Sequence, residues 1–314
     1  MIRLPHLATL FLVCCSNALL AAGDLWQTDF AAASARAADE KKSLLIDFTG
    51  SDWCAWCIRL RKEVFNQDAF RREAPEHFVL VELDYPKDKS GQSPALQEQN
   101  RALLETYPVA AYPTVLLCDA SGKPYAATGY LPGGPETYLA RLDQLRRRQT
   151  ARDQAFTEAA AMTGVAKARR LVAALAALEL PPAIVNASYP GVIADIIAAD
   201  PDDETGFASA AADERRLRDF LQTLGGFRSQ GDIEGALAFI DKMLAGHPEK
   251  TAFRQQLHGH KAGTLATAGR KTEAITVLEA AVAEDPSGAR TAELADFIEI
   301  LRKEIDREKS ATEK

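Results

Sequence analysis

Cysteine is scarce in this chain: five in 314 residues, at positions 14, 15, 54, 57 and 118. So few exclude a small scaffold stapled by several disulfides. Basic charge is also short. Lys and Arg number 37 against 44 Asp and Glu, for a net charge of −7, which argues against a nucleic-acid partner held through phosphates. The one basic cluster, Arg146-Arg147-Arg148, continues a helical pattern and reads as a solvated helix end. No apolar run is long enough for a confident membrane span, which needs about 20 residues. Tryptophan is absent after Trp56, and beyond Gln149 the sole tyrosine is Tyr189. The two halves of the chain therefore differ in texture.

Acidic residues are missing from the first 23 positions. There Arg3 precedes an apolar stretch from Leu7 to Leu20 and the small residues Ala21-Ala22-Gly23. A positive start, a short apolar core and small residues at its end make a secretory signal, cleaved near Ala22 or Gly23. Residues 1–23 are accordingly expected to be a signal peptide, and the protein to be periplasmic or secreted, with no stable membrane insertion after cleavage. The alternative is a lipid- or signal-anchored protein, since Cys14 and Cys15 lie here. Val13, however, stands before Cys14 where lipid attachment wants a small residue. Removal of the signal leaves Cys54, Cys57 and Cys118. One close pair with one spare points to chemistry rather than architecture.

Residues 24–148 alternate between helical and strand periods. Residues 27–41 form an Ala-rich amphipathic pattern, and Ser43–Phe48 has the length of a buried strand. After the cysteines, Leu60 and Val64 continue the Cys57 face at helical spacing. Phe78–Asp84 predicts a second strand, Tyr85–Pro94 a loop and Gln97–Tyr107 a helix. Tyr112–Cys118 predicts a third strand and Tyr125–Gly129 a fourth. Leu131-Pro132-Gly133-Gly134-Pro135 introduces a closing helix through about Arg148. Strands alternating with helices and ending in a hairpin define an α/β layer fold.

Trp53-Cys54-Ala55-Trp56-Cys57 follows the first strand directly. A Cys-x-x-Cys pair at a strand-to-helix junction suits reversible thiol–disulfide chemistry. The unpaired N–H groups of a helix start stabilise a thiolate at Cys54, and Cys57, one turn on, can close a ring on it. Cys54 is thus the expected exposed nucleophile and Cys57 the shielded resolving thiol. The competing readings are a structural disulfide or half a zinc site, though zinc wants four ligands and no His adjoins the pair. No metal or organic cofactor is expected. Cys118 lies in a core strand and reads as a small hydrophobe. His258 and His260 point to different helix faces, so they would not chelate together and are expected at the surface.

Residues 26–148 resemble the thioredoxin superfamily, in particular exported bacterial thioredoxin-like proteins and the C-terminal domain of periplasmic thiol–disulfide interchange reductases. The resemblance rests on Asp47-Phe48 before Trp53-Cys54-x-x-Cys57, on Tyr112-Pro113-Thr114 entering the next strand, and on Gly129 and Gly133-Gly134 before the last helix. It implies a central mixed sheet flanked by helices, with Cys54 and Cys57 as the redox-active disulfide. It also implies that Trp53 packs beside the active site and helps bind substrate, and that Tyr112 and a cis Pro113 present backbone groups to an extended substrate. Trp56 lies between the cysteines, where the intervening residues tune the redox potential; substrate contact and simple packing are its two readings. Asp47 resembles the buried acid that takes the proton of the second cysteine, although it lies seven residues before Cys54, one more than the common form. A strand-end structural role is its alternative. Ala55-Trp56 matches neither reducing nor oxidising family pairs, so direction is not readable from it.

Residues 149–308 read as an all-helical, helical-hairpin-repeat-like domain, and 309–314 as a frayed tail. Gly231–Ala236 aligns with Gly269–Ala274 at an offset of 38 residues, as does His247-Pro248 with Asp285-Pro286. The stretches 231–248 and 269–286 are similar to the second helices of degenerate tetratricopeptide repeats. Stacked helix pairs form concave surfaces that suit a protein partner. Two functions follow. One is a reductase- or isomerase-type oxidoreductase acting on protein thiols and disulfides through a Cys54 mixed disulfide. The other is a non-catalytic binding protein whose cysteine pair is structural.

Overall fold

The computed structural model describes residues 25–249 and 252–312, and the chain divides into compact units at Thr205–Gly206. The expected signal peptide, 1–23, lies outside the described residues. The first unit opens with β1 (Trp26–Gln27), α1 (Phe30–Glu40), β2 (Ser43–Thr49) and α2 (Ala55–Leu60), which runs on into a π-helical turn, Arg61–Phe65. Then come α3 (Asp68–His77), β3 (Phe78–Asp84), α4 (Pro94–Thr106), β4 (Thr114–Cys118), β5 (Pro124–Thr128) and α5 (Gly134–Ala160). The strands order β1-β3-β2-β4-β5. β1, β3 and β2 run parallel, while β4 and β5 pair antiparallel. This is a mixed sheet.

Local chemistry explains the element ends. Asp29 caps α1 by accepting from the Ala32 N–H, and Ser93 caps α4 ahead of Pro94 at its first position, where a missing N–H costs nothing. β2 and β4 are central and covered on both faces, so they read as unbroken apolar runs. Leu44, Ile46 and Phe48 share one face of β2 and Leu45, Asp47 and Thr49 the other. Phe48 meets Tyr85 and Tyr107 at ring separations of 6.3 and 6.0 Å. Trp26, Phe65, Phe70 and Tyr138 form a second aromatic cluster that ties β1 and α3 to α5. Cys118 is fully buried and free.

The helix that closes the sheet does not stop near Arg148. No Gly or Pro occurs between Pro135 and Gly164, and α5 continues to Ala160. Beyond it α6 (Gly164–Ala176), α7 (Pro182–Ser188) and α8 (Pro190–Ala199) stay within the same compact unit. Compactness therefore divides the chain at 205, beyond the composition change near 149. Arg152 holds the join. It is 5% exposed, pairs with Asp119 at 2.9 Å and donates to the Tyr189 hydroxyl at 3.2 Å. Tyr189 in turn donates to the Pro124 carbonyl of β5.

The second unit comprises α9 (Phe207–Ser229), α10 (Ile233–Gly246), α11 (Ala252–Thr267), α12 (Lys271–Glu284) and α13 (Thr291–Thr312). Gly231 and Gly269 follow α9 and α11 with φ of 69° and 77°, the left-handed exit that glycine adopts without Cβ strain. The next helix then buries Ala236 or Ala274 completely, so the sequence offset of 38 residues relates α9–α10 to α11–α12. α13 stays helical through Thr312, past the expected start of a tail at 309. His258 and His260 are half-buried rather than at the surface. The first lies 3.5 Å from the Glu284 carboxylate of α12, and the ring of the second stands 5.5 Å from Phe220. Among the described residues no single helix is long and apolar enough to cross a membrane.

Candidate active site

β2 delivers the chain into Gly50–Trp53, and Cys54 is the N-cap of α2, with extended backbone at φ −88° and ψ 100°. Its Sγ accepts from the Cys57 N–H at 3.2 Å, and its carbonyl accepts from Cys57 and Ile58. Cys54 and Cys57 are joined in a disulfide. The expected exposed nucleophile is in fact covered: Cys54 is 6% exposed and Cys57 3%. What separates the two is direction. Cys57 borders a recess of about 210 Å³ that opens to the surface, lined also by Thr49, Ser51, Ile58, Arg61, Lys62 and Asn66, whereas Cys54 caps the helix.

Side chains of one loop satisfy the backbone of another around this pair. The Asp84 carboxylate accepts from Ser51 N and Oγ at 2.9 and 2.6 Å. The Asp52 carboxylate accepts from the N–H groups of Asp88 and Lys87 at 2.9 and 3.0 Å, which holds its pKa below the ordinary value. Trp53 Nε1 donates to the Tyr85 carbonyl at 2.9 Å, while the indole lies over Gly50. Its ring stands 5.5 Å from Tyr112, which precedes Pro113 across a cis peptide bond. The residues picked out by the motif, Trp53 and Tyr112, are thereby brought together, with Tyr85 as an unforeseen third ring 5.7 Å from Tyr112.

Trp56 is 54% exposed, and its ring lies 5.1 Å from that of Tyr130. The Arg59 guanidinium sits over both rings, at 5.6 and 5.2 Å. Glu63 accepts from Arg59 Nε and from the Tyr130 hydroxyl, each at 2.7 Å. The motif alone does not point to Tyr130, Arg59 or Glu63. The available signals are the four-residue spacing of Arg59 and Glu63 on one helix face, and the position of Tyr130 immediately after Gly129.

Asp47 is 2% exposed in the middle of β2, opposite Glu82 of β3 and Val115 of β4. Strand alternation places it on the face of Thr49, which lines the Cys57 recess. Its Oδ1 has no hydrogen-bond partner among the described residues. Burial first, then the Glu82 charge, push its carboxyl pKa up to about 8, against the pull of Arg61. In this disulfide form burial therefore favours the protonated Asp47 carboxyl. Among the described residues no group of three or more His, Cys, Asp or Glu side chains could hold a metal ion.

A disulfide between cysteines three positions apart, seated on a helix N-terminus, has its obvious use in moving electrons between sulfur atoms. On a mixed sheet of this order it marks the class of thiol–disulfide oxidoreductases. Comparison with known protein families and sequences agrees. The thioredoxin-like domain family matches residues 30–146. Over 123 residues the chain is 32% identical to the disulfide bond reductase DsbH of Chlamydia pneumoniae, covering 39% of this chain and 74% of that protein. Over 93 residues it is 31% identical to the thioredoxin-related protein DsbJ of the same organism, covering 30% of this chain but only 26% of that one. Among solved structures, a DsbH oxidoreductase aligns at 31% identity with a TM-score of 0.37, covering 38% of this chain and 82% of the other. The chain belongs to the thioredoxin-like family, and the protein is a thiol–disulfide oxidoreductase.

Proposed function

We propose that the protein is a disulfide reductase for exported polypeptides, with Cys54 as nucleophile, Cys57 as resolving thiol and Asp47 as the group that takes and returns the Cys57 proton. The observation that carries this reading is the Cys57 N–H donating to Cys54 Sγ at the start of α2, an amide placed to stabilise a Cys54 thiolate. In the reduced enzyme that thiolate attacks a substrate disulfide. The substrate S–S bond breaks, a Cys54–substrate disulfide forms, and the first substrate sulfur leaves as a thiolate that water protonates. Cys57 then passes its proton to the Asp47 carboxylate and attacks Cys54 Sγ. The Cys54–Cys57 disulfide closes and the second substrate sulfur departs. Two electrons have passed to the substrate, and Asp47 now holds the proton, the condition its burial favours in the disulfide form.

A dithiol donor reverses these steps. Its thiolate attacks Cys54, Cys57 leaves and takes the Asp47 proton, and a second donor thiol releases Cys54. Trp53, Tyr112 and Pro113 would receive an extended substrate segment, and the exposed Trp56 would contact it. The reductase direction is supported by the name of the first relative, a disulfide bond reductase, and export by the signal-like pattern at 1–23. The helical-hairpin repeats at 231–248 and 269–286 would hold a protein partner.

The test is reduction of insulin by the full-length protein with a dithiol donor. Wild type should accelerate it and Cys54→Ser should not. Equal, negligible rates for both would instead support a structural disulfide in a binding protein. Cys57→Ser should trap a mixed disulfide that is visible by mass.

A further inference from the structure

Arg61 stands four residues beyond Cys57, where α2 gives way to the π-helical turn. Residues four apart share a helix face, and both border the recess that Thr49 also lines. The Arg61 guanidinium forms an ion pair with Glu82, their side chains being 35% and 17% exposed. Glu82 is the register partner of Asp47 on the adjacent parallel strand, so the two carboxyl side chains leave the sheet on the same face. A cation on the helix of the resolving cysteine thus holds the acid beside Asp47.

The other groups that bear on Asp47 do not take this place. Asp84 of β3 is engaged by Ser51. From α5 the group is the buried Tyr138 hydroxyl, whose own pKa is raised by burial and then by the Asp47 charge. β4 contributes the uncharged Val115 opposite Asp47. Arg61 supplies the positive charge in this set, and the fields of Glu82, Asp47 and Asp84 keep its guanidinium charged despite burial.

We infer that Arg61 is a positioning residue for thiol exchange: from the border of the Cys57 recess it holds Glu82 beside Asp47, and so governs how readily Asp47 and Cys57 pass a proton. The inference rests on the proposed role of Asp47. Without the cation, a Glu82 carboxylate would face Asp47 unneutralised, and Asp47 would keep its proton to higher pH. Without the Glu82 charge, Arg61 would act on Asp47 alone, and the proton would leave at lower pH. The two substitutions therefore move the same step in opposite directions.

The experiment follows single-turnover oxidation of the reduced full-length protein by a peptide disulfide, read by Trp53 and Trp56 fluorescence on both sides of pH 8. Infrared titration of the protonated Asp47 carboxyl band gives a second readout, independent of turnover and assigned by its loss in Asp47→Asn. Arg61→Met should raise both midpoints by about one pH unit, Glu82→Gln should lower them by a similar amount, and Arg61→Lys should retain them. The kinetic shifts should vanish in an Asp47→Asn background. Midpoints unmoved by either neutralising substitution, or kinetic shifts that persist without Asp47, would overturn the inference. Should Arg61→Met fail to fold, Glu82→Gln alone decides, since an unmoved midpoint there is equally fatal. Wild type without any exchange would bring down the proposed function itself, whereas an active wild type with unmoved midpoints removes only the role of Arg61.

Discussion

The indole of Trp53 occupies the space a side chain at Gly50 would need: a Cβ there would stand 2.5 Å from the ring. The ring cannot slide away without breaking its 2.9 Å hydrogen bond to the Tyr85 carbonyl. Gly50→Ala should therefore release Trp53 from its seat beside Tyr112. Loss of one such bond is worth about 0.5–1.5 kcal/mol, so KM for a protein disulfide should rise roughly two- to tenfold. Steady-state kinetics and a shift in tryptophan emission check this together. An unchanged KM would remove Trp53 from the substrate surface.

Asp47 gives a stability prediction of definite sign. Its carboxyl is raised in the folded protein from 3.8 to about 8, so the folded state binds the proton more tightly than the unfolded one. Stability is then highest below the unfolded value and falls as pH climbs toward the folded one, where the loss is complete. Asp47→Asn carries no such penalty. It should match wild type near pH 4 and exceed it by a few kcal/mol at pH 8 and above. Urea unfolding at several pH values measures the gap. The same variant should slow exchange, since a stabilised protein has lost its proton carrier.

The exposed Trp56, between the two cysteines, lies beside the half-buried Tyr130. An aromatic contact of this kind is worth about 1 kcal/mol. Trp56→Ala should raise KM for protein disulfides roughly fivefold, with a smaller change in kcat. Should kcat fall while KM stays put, Trp56 acts on the redox couple rather than on substrate.

Arg152 anchors the helices that follow the sheet. Arg152→Met leaves Asp119 without its cation and Tyr189 without its donor, and should cost about 3 kcal/mol. Tyr189→Phe removes only the bonds to Arg152 and the Pro124 carbonyl, and should cost about 1 kcal/mol. Thermal unfolding separates the two. Equal losses would mean that the hydroxyl, not the guanidinium, carries the join.

The site was legible in the sequence wherever chemistry dictates residue type at close spacing. Cys54 and Cys57 need a helix start, and β2 ends just before them. The apolar runs at 43–48, 78–84 and 112–118 needed no long-range information to read as strands. β1 did, because two residues, Trp26 and Gln27, have no periodicity and pair only with β3. Arg61 and Glu82 were hidden for the same reason. Each reads as a surface charge until β3 lies beside β2 and brings Glu82 opposite Asp47. Arg152 likewise resembles any helix-surface arginine until β5, Tyr189 and Asp119 enclose it. The covering of Cys54 was missed because helix capping fixes a backbone position and says nothing of the neighbours above it.

Helix α5 runs unbroken for 27 residues. Its first half buries Tyr138, Leu142 and Leu145, its second Ala155 and Ala159, and the helix packs on both β5 and α6. The two halves are therefore locked in phase. One residue gained or lost near Gln149 would turn everything beyond it by about 100°. Arg152 would swing away from Asp119, and Ala155 would rotate out of its packing. The stretch between Arg148 and Ala160 should accordingly accept substitutions on its solvent side but no change of length, a constraint of angular bookkeeping rather than of any single contact.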